Sequence, residues 1–506
     1  MSYWSAVFRG SGSGHRADVG ARLASLAGFR SLVRPFFVLF ALYLVASLPL
    51  LRANYNYMDD MARAYEGFAG WGSGASRYLS DILAFALHTD TYLADISPIP
   101  QIIALAIMAM TSVLVARVLR RSGRIRYTTL VASVPLAFSP YFLQCLSYKY
   151  DAPYMALSVL FSVLPFAFVD GKRSLKLTLA AVCTLGMCAT YQAASGIFPM
   201  LAILVCAKSW HDGGDTRKAI LEMGQMLLAY GIALLAYRVF LTQPEFQVGA
   251  ISVATPSLSE LPATFFGNLL DYYGRVLSDA RALWLVIASM CFLVLLVGFV
   301  ATSKRSKKMA PVVLFATVAA MALVCFGAYP LLAEPSFAPR AMIGFGAFLA
   351  FLCMFGCEVT NWTALRAVFI VFSFVLLSFA MMWGNVLADQ REWTQFRVEG
   401  VVGALNDAGM LSGDEERIVQ IEGGIGVSPV VRNMPDDYRM LRRMLHPTFD
   451  GSYYWGRYLL LNYYGIASLK EDPSVDLASM DLPVLTETYY YTIRGNDQYV
   501  LILLNP

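Results

Sequence analysis

At 506 residues the chain is long enough for three soluble domains of about 150 residues each, yet 58% of it is apolar, 15% is charged and its mean hydropathy is +0.56. Globular proteins average about 45–50% apolar and about 25% charged, so the surplus apolar surface must face lipid, and disordered, collagen-like and small disulfide-rich classes are excluded. The net charge of +4, from 39 Lys+Arg against 35 Asp+Glu, is too small to point to nucleic acid as a partner.

A hydrocarbon core about 30 Å thick takes about 20 apolar residues per helix. That window picks out eleven spans, near 33–53, 98–117, 127–146, 153–169, 177–191, 193–207, 219–241, 282–302, 310–332, 341–358 and 367–387. Residues 177–207 form one run with only Thr190, Gln192 and Gly196 to mark a reversal, and charge decides in favour of two helices there. With a cytoplasmic N-terminus, the inward loops then carry 21 Lys/Arg and the outward loops 8, which is the asymmetry of the positive-inside rule. Residues 1–32 read as a flexible basic arm on the cytoplasmic side. No cleavable signal peptide is visible, and the first apolar run reads as a retained span. All eight cysteines lie in apolar runs, as small lipid-phase hydrophobes rather than a disulfide framework.

The first outer loop, residues 52–97, is long and holds six of the twelve acids of its face: Asp59, Asp60, Glu66, Asp81, Asp90 and Asp95. Adjacent carboxylates just beyond a helix end suit general-base work. Asp59, Arg63 and Glu66 also fall at the i, i+4 and i+7 spacing of a surface ion pair, and either aspartate suits a helix cap. Asp60 points about 100° away from the Asp59/Arg63 stripe on a helix, which leaves it the less compensated of the two.

The second outer loop, Tyr148 to Pro153, brings Lys149 and Asp151 between tyrosines. This suits either a held charge or a snorkelling lysine in a tyrosine belt. Tyr191 and Gln192 stand at the next predicted outer turn, where Gln192 needs a hydrogen-bond partner. Arg340, at the mouth of a later span, either presents a fixed fork to a phosphate oxygen or anchors the interface.

From Asp389 onward 27 of 118 residues are charged and no apolar stretch of span length remains. This tail reads as a separate α/β domain outside the cytoplasm: a helix near 390–408, a strand from Arg417 to Gly423, a helix near 436–446, and a terminal hairpin turning at Gly495–Asp497. Tyr453, Tyr454, Trp455, Tyr458, Tyr463 and Tyr464 either stack on sugar rings or pack the tail's own core. His15, His88, His211 and His446 are too scattered for a metal site, and neither metal nor cofactor is expected. Asn361–Thr363 matches a glycosylation sequon by chance in an inward loop, and Gly423–Gly426 is a turn rather than a dinucleotide fingerprint.

The segments NYMDDMARAYEGF, SRYLSDIL, SPIPQII, SYKYDAPYMALS, TYQAAS and FAPRAMIGFGAFL, in this order and spacing, resemble the GtrII family of membrane glucosyltransferases, which are similar to serotype-converting O-antigen enzymes. The resemblance covers most of residues 35–387 and implies a GT-C-type bundle. The whole is then mostly α: a polytopic transmembrane catalytic domain over 33–388 and an extracytoplasmic α/β domain over 389–506, in a bacterial inner membrane. It further implies a polyprenyl-phosphate sugar donor, an envelope glycan acceptor and an acidic base in the first outer loop. Asp59 and Asp60 match the acidic pair, Arg77 the arginine after it, Tyr148, Lys149 and Asp151 the second-loop motif, Gln192, beside Tyr191, the YQ motif, and Arg340 the late arginine. One departure stands out: the family often has Gly-Arg-Pro where this chain has Ser76-Arg77-Tyr78.

On that reading Arg340, Lys149 and Arg77 stabilise the departing phosphate while an aspartate takes the acceptor's proton, and direct attack inverts C1. Such a leaving group needs no acid, so one carboxylate suffices where a hydrolase needs two. The rival classes are a lipid-linked sugar flippase, which would place ionisable groups near the bilayer midplane, and a non-catalytic glycan-assembly protein.

Overall fold

The computed structural model describes residues 12–67, 70–120, 123–168, 172–242, 254–412, 416–452, 456 and 459–506. Its helices follow the apolar runs: α1 (Gly12–Ala53), α2 (Asp60–Glu66), α3 (Tyr78–His88), α4 (Ile99–Leu119), α5 (Tyr127–Phe138), α6 (Pro140–Ser147), α7 (Ala152–Phe168), α8 (Arg173–Thr190), α9 (Gln192–His211), α10 (Thr216–Phe240), α11 (Leu261–Asp279), α12 (Ala282–Thr302), α13 (Ala310–Val324), α14 (Pro339–Val359) and α15 (Thr363–Asp407). Each of the eleven expected spans overlaps a helix, although α13 ends at Val324 within the span expected over 310–332. Among the described residues, seven are long and apolar enough to cross a membrane: α4, α9, α10, α12, α14, α15 and the Ser31–Ala53 part of α1. The α5/α6 pair makes an eighth, bent by 62° at Ser139–Pro140, where proline removes a helical donor. The run 177–207 divides into α8 and α9 at Tyr191, whose extended φ of −158° interrupts the helix.

Helix α1 lies against α15 so closely that a Cβ on Gly384 would sit 2.2 Å from the Leu50 nitrogen; small residues permit such approaches where no water drives helices together. Several polar groups inside the bundle pair with one another, as burial favours. The Tyr43 hydroxyl bonds Ser112 and Ser133 at 3.0 and 3.2 Å, and the Trp383 indole donates to Ser147 at 2.9 Å.

Helix α15 continues through residue 388 without a break and carries the tail. The predicted strand is β1 (Arg417–Gly423), followed by α16 (Arg439–Met444), β2 (Leu469–Lys470), β3 (Val484–Glu487), β4 (Tyr491–Gly495) and β5 (Tyr499–Leu504). The terminal hairpin is β4–β5, in a sheet of order β2-β1-β5-β4-β3 with β1 parallel to both neighbours. Arg397 of α15, 1% exposed, fixes this sheet by donating to the Tyr490 and Asn505 carbonyls at 2.6 and 2.5 Å. Met61 and Ala62 of α2 join the same apolar core as Val398, Val401 and Leu459, so the first loop and the tail fold against each other. Arg443 of α16 pairs with Asp279 at the end of α11 and donates to the Phe337 carbonyl. Tyr453, Tyr454, Trp455 and Tyr458, and residues 1–11 of the arm expected over 1–32, lie outside the described residues, while from Gly12 that arm belongs to α1 rather than to a flexible segment.

Candidate functional site

Four chain reversals meet at the end of the bundle that carries the tail: Asn54–Asp59 after α1, Tyr148–Asp151 between α6 and α7, Tyr191 between α8 and α9, and the start of α14 at Arg340. Gln144 ties two of them together from inside the bundle. Fully buried, it donates to the Tyr57 hydroxyl at 2.7 Å and accepts from the Arg340 backbone N–H at 2.7 Å. Tyr191 adds a third strut, its hydroxyl donating to the Arg340 carbonyl at 3.1 Å.

The two adjacent aspartates have opposite surroundings. Asp60 is 1% exposed, and its Oδ2 accepts from the backbone N–H groups of Tyr57 at 3.1 Å and Lys149 at 2.9 Å. It locks the first loop to the second, and burial raises its pKa to about 8 against the pull of those donors and the Lys149 charge. Asp59 is half-buried at the N-cap of α2, yet its side chain makes no capping hydrogen bond. Nor does it pair with Arg63, which instead meets Asp151 at 3.0 Å. Neither structural role open to Asp59 in the sequence is realised, and the less compensated carboxylate is Asp59 rather than Asp60. Burial pushes the Asp59 pKa up, and the positive charges of Arg340, Arg63 and Arg77 pull it back. The preceding residue, Met58, holds φ at 51°, a left-handed conformation that side chains such as methionine seldom adopt and that concentrates at functional sites.

The four cations near the acidic pair divide in the same way. Lys149, 3% exposed, is bound to Asp95 at 3.1 Å and to the Asn56 side-chain oxygen at 2.7 Å, and Arg63 is neutralised by Asp151. Arg340 and Arg77 have no carboxylate partner among the described residues. The Arg340 guanidinium lies 5.3 Å from the Tyr148 ring centroid, donates to that residue's hydroxyl, and contacts the Met58 sulfur at 3.2 Å. Arg77 stacks on Tyr191 at 4.6 Å and donates from Nε to the Gln192 oxygen at 3.0 Å. Gln192 finds the partners its burial requires, donating also to Ala75 and to the Tyr237 hydroxyl. His446, facing Tyr57 at 6.1 Å, is held neutral by burial and by the Arg340 charge, its pKa lowered to about 4. Among the described residues, one carboxylate that makes no side-chain hydrogen bond therefore stands near two guanidinium groups that form no ion pair, an excess of positive charge that attracts an anion.

The profile of the glucosyl transferase GtrII family matches residues 48–351, more than half of the chain and all of these reversals. The chain belongs to the GtrII glucosyltransferase family. A protein of Salmonella phage P22, described as an uncharacterized 55.3 kDa protein in the gtrB 5′ region, is 23% identical over 454 residues, covering 85% of this chain and 90% of its own length. No solved structure matches.

Within this GtrII chain, Ser76 stands at φ 61°, the region glycine occupies without cost. The Ser-for-Gly departure before Arg77 therefore keeps the turn at some backbone strain. The structure brings Asp59, Asp60, Arg77, Tyr148, Lys149, Asp151, Tyr191, Gln192 and Arg340 to one end of the bundle. It commits Asp60, Lys149 and Asp151 to internal bonds. A cavity of about 360 Å³ beside them takes Lys149 into its wall but neither aspartate of the acidic pair. Gln144 and Tyr57 were not singled out from sequence, and Arg63 was read there only as a partner for Asp59. For Gln144 the signal was present, since an amide in the apolar run PYFLQCLS must have a partner.

Proposed function

We propose that this membrane glucosyltransferase moves a hexose from a polyprenyl-phosphate donor to an envelope glycan at the outer face of the bacterial inner membrane, with Asp59 as general base. The observation that carries the proposal is the pairing pattern: among the described residues, Asp59 alone of the acidic pair makes no side-chain hydrogen bond, and it stands near two guanidinium groups that form no ion pair. The donor's tail lies in lipid, and its phosphate meets Arg340 and Arg77. As the glycosidic bond breaks, the bonding electrons go to the phosphate oxygen, and fixed cations stabilise that growing charge without reorganising. Asp59 takes the proton of the acceptor hydroxyl as its oxygen attacks C1, and single displacement inverts the configuration. A carboxyl raised above its ordinary value is the better base near neutral pH.

Lys149 and Asp151 act at one remove in this mechanism. Lys149 holds Asp60 through its backbone and Asp95 through its ammonium, and Asp151 fixes Arg63. Orientation follows from charge, with the basic loops in the cytoplasm and the reversals and tail outside. Purified protein in liposomes, supplied with polyprenyl-phosphate glucose and O-antigen polysaccharide, is expected to transfer glucose with inversion, read by NMR of the product linkage. Transfer from a nucleotide sugar with the lipid donor inert, or retention at C1, contradicts the proposal.

A further inference from the structure

The 360 Å³ cavity lies where the first loop, α15 and the tail meet, in the size range of small-ligand sites, about 300–1,000 Å³. Tyr463 and Tyr464 rise from the tail on one side, partly exposed and edge to face at 5.6 Å. Thr394 and Gln395 of α15 contribute polar groups opposite, and Asn56, Asp95 and Lys149 close the inner end. Lys149 pairs with Asp95 within the wall, and the Arg391 guanidinium, also in the wall, donates to the Ala53 carbonyl at 3.0 Å. Thr394 is 7% exposed, and its hydroxyl is buried with no hydrogen-bond partner among the described residues. A buried hydroxyl left unmatched costs about 1–3 kcal/mol, so its place in a cavity wall points to a ligand that supplies the missing bond. Aromatic faces beside amide, hydroxyl and cationic groups match one ligand chemistry, a pyranose, whose C–H face packs on a ring while its hydroxyls exchange hydrogen bonds.

Lys149 is the wall shared with the proposed active centre. Its ammonium faces the cavity partners Asn56 and Asp95, while its backbone N–H holds Asp60, the neighbour of Asp59. We infer that this cavity is an acceptor subsite that seats a sugar residue of the glycan some units away from the residue that is glucosylated. The inference rests on the proposed function for what the acceptor is, but on the cavity alone for where it binds.

Equilibrium dialysis of tritiated Salmonella O-antigen polysaccharide against the purified full-length protein, without donor, tests the subsite. Tyr464→Ala removes a partly exposed ring and Thr394→Val removes only the unmatched hydroxyl, so neither threatens the fold. Each is expected to weaken polysaccharide binding by about three- to tenfold, the worth of one aromatic or hydrogen-bond contact. Absent wild-type binding, or binding that both substitutions leave unchanged, overturns the subsite. Weakened binding in the variants alongside a wild type that transfers no glucose from the lipid donor overturns the proposed reaction and leaves the subsite standing.

Discussion

Asp59 and Asp60 differ by one position in the chain and by almost everything else. The Asp60 pKa is raised from 3.8 to about 8, so the folded state holds this proton more tightly than the unfolded chain. That contribution to stability is fully present below the unfolded value and is lost as pH rises through the folded one, by at most about 1.4 kcal/mol per unit. Asp60→Asn keeps an oxygen for the Tyr57 and Lys149 amides and removes the titration. Its melting temperature is expected to vary less than that of wild type between pH 4 and 8 and to exceed it near pH 8, as thermal unfolding in detergent will show. At Arg340 a planar fork contacts both the Tyr148 hydroxyl and the Met58 sulfur, a geometry a lysine does not reproduce. Arg340→Lys should raise the KM for the lipid donor about tenfold or more and leave the acceptor KM unchanged. Equal changes in both would make it a general structural residue.

At the scale of elements, much was legible because apolar run length and turn chemistry act locally. The strand Arg417–Gly423 and the hairpin around Asn496 follow from alternation and from turn residues, and the split of residues 177–207 follows from loop charge. What was not legible depends on partners remote in sequence. The pairing of β1 with β5 joins Ile418 to Tyr499, and no local pattern encodes that register. The same holds for the acidic pair: helical geometry ranks Asp60 as less compensated, but the amide that satisfies it belongs to Lys149, 89 residues away. The α1–α15 contact gives a test at this scale. Gly384→Ala places a methyl group against the backbone at Leu50, and overpacking of this kind costs about 1–3 kcal/mol. A lowered melting temperature is expected, and an unchanged one would mean that the two helices separate easily.

For the molecule as a whole, orientation decides where the chemistry takes place. The tail and the first loop share one apolar core, so they lie on the same side of the membrane. The basic run at Ser303–Lys308 belongs on the other side by the charge rule. In intact cells a membrane-impermeant maleimide is expected to label Asp497→Cys and to reach Lys307→Cys only after permeabilisation. The reverse pattern would move the active centre into the cytoplasm. The ionisable groups of the site gather at the chain reversals of one end, as a surface transferase requires and a midplane transporter does not.

The most direct test compares Asp59→Asn with Asp60→Asn in the transfer of glucose from a polyprenyl-phosphate donor to polysaccharide by purified, reconstituted protein. The account predicts a loss of about 10²–10⁴-fold for Asp59→Asn, with donor binding retained, and near-normal turnover for Asp60→Asn. Full activity in Asp59→Asn would contradict it.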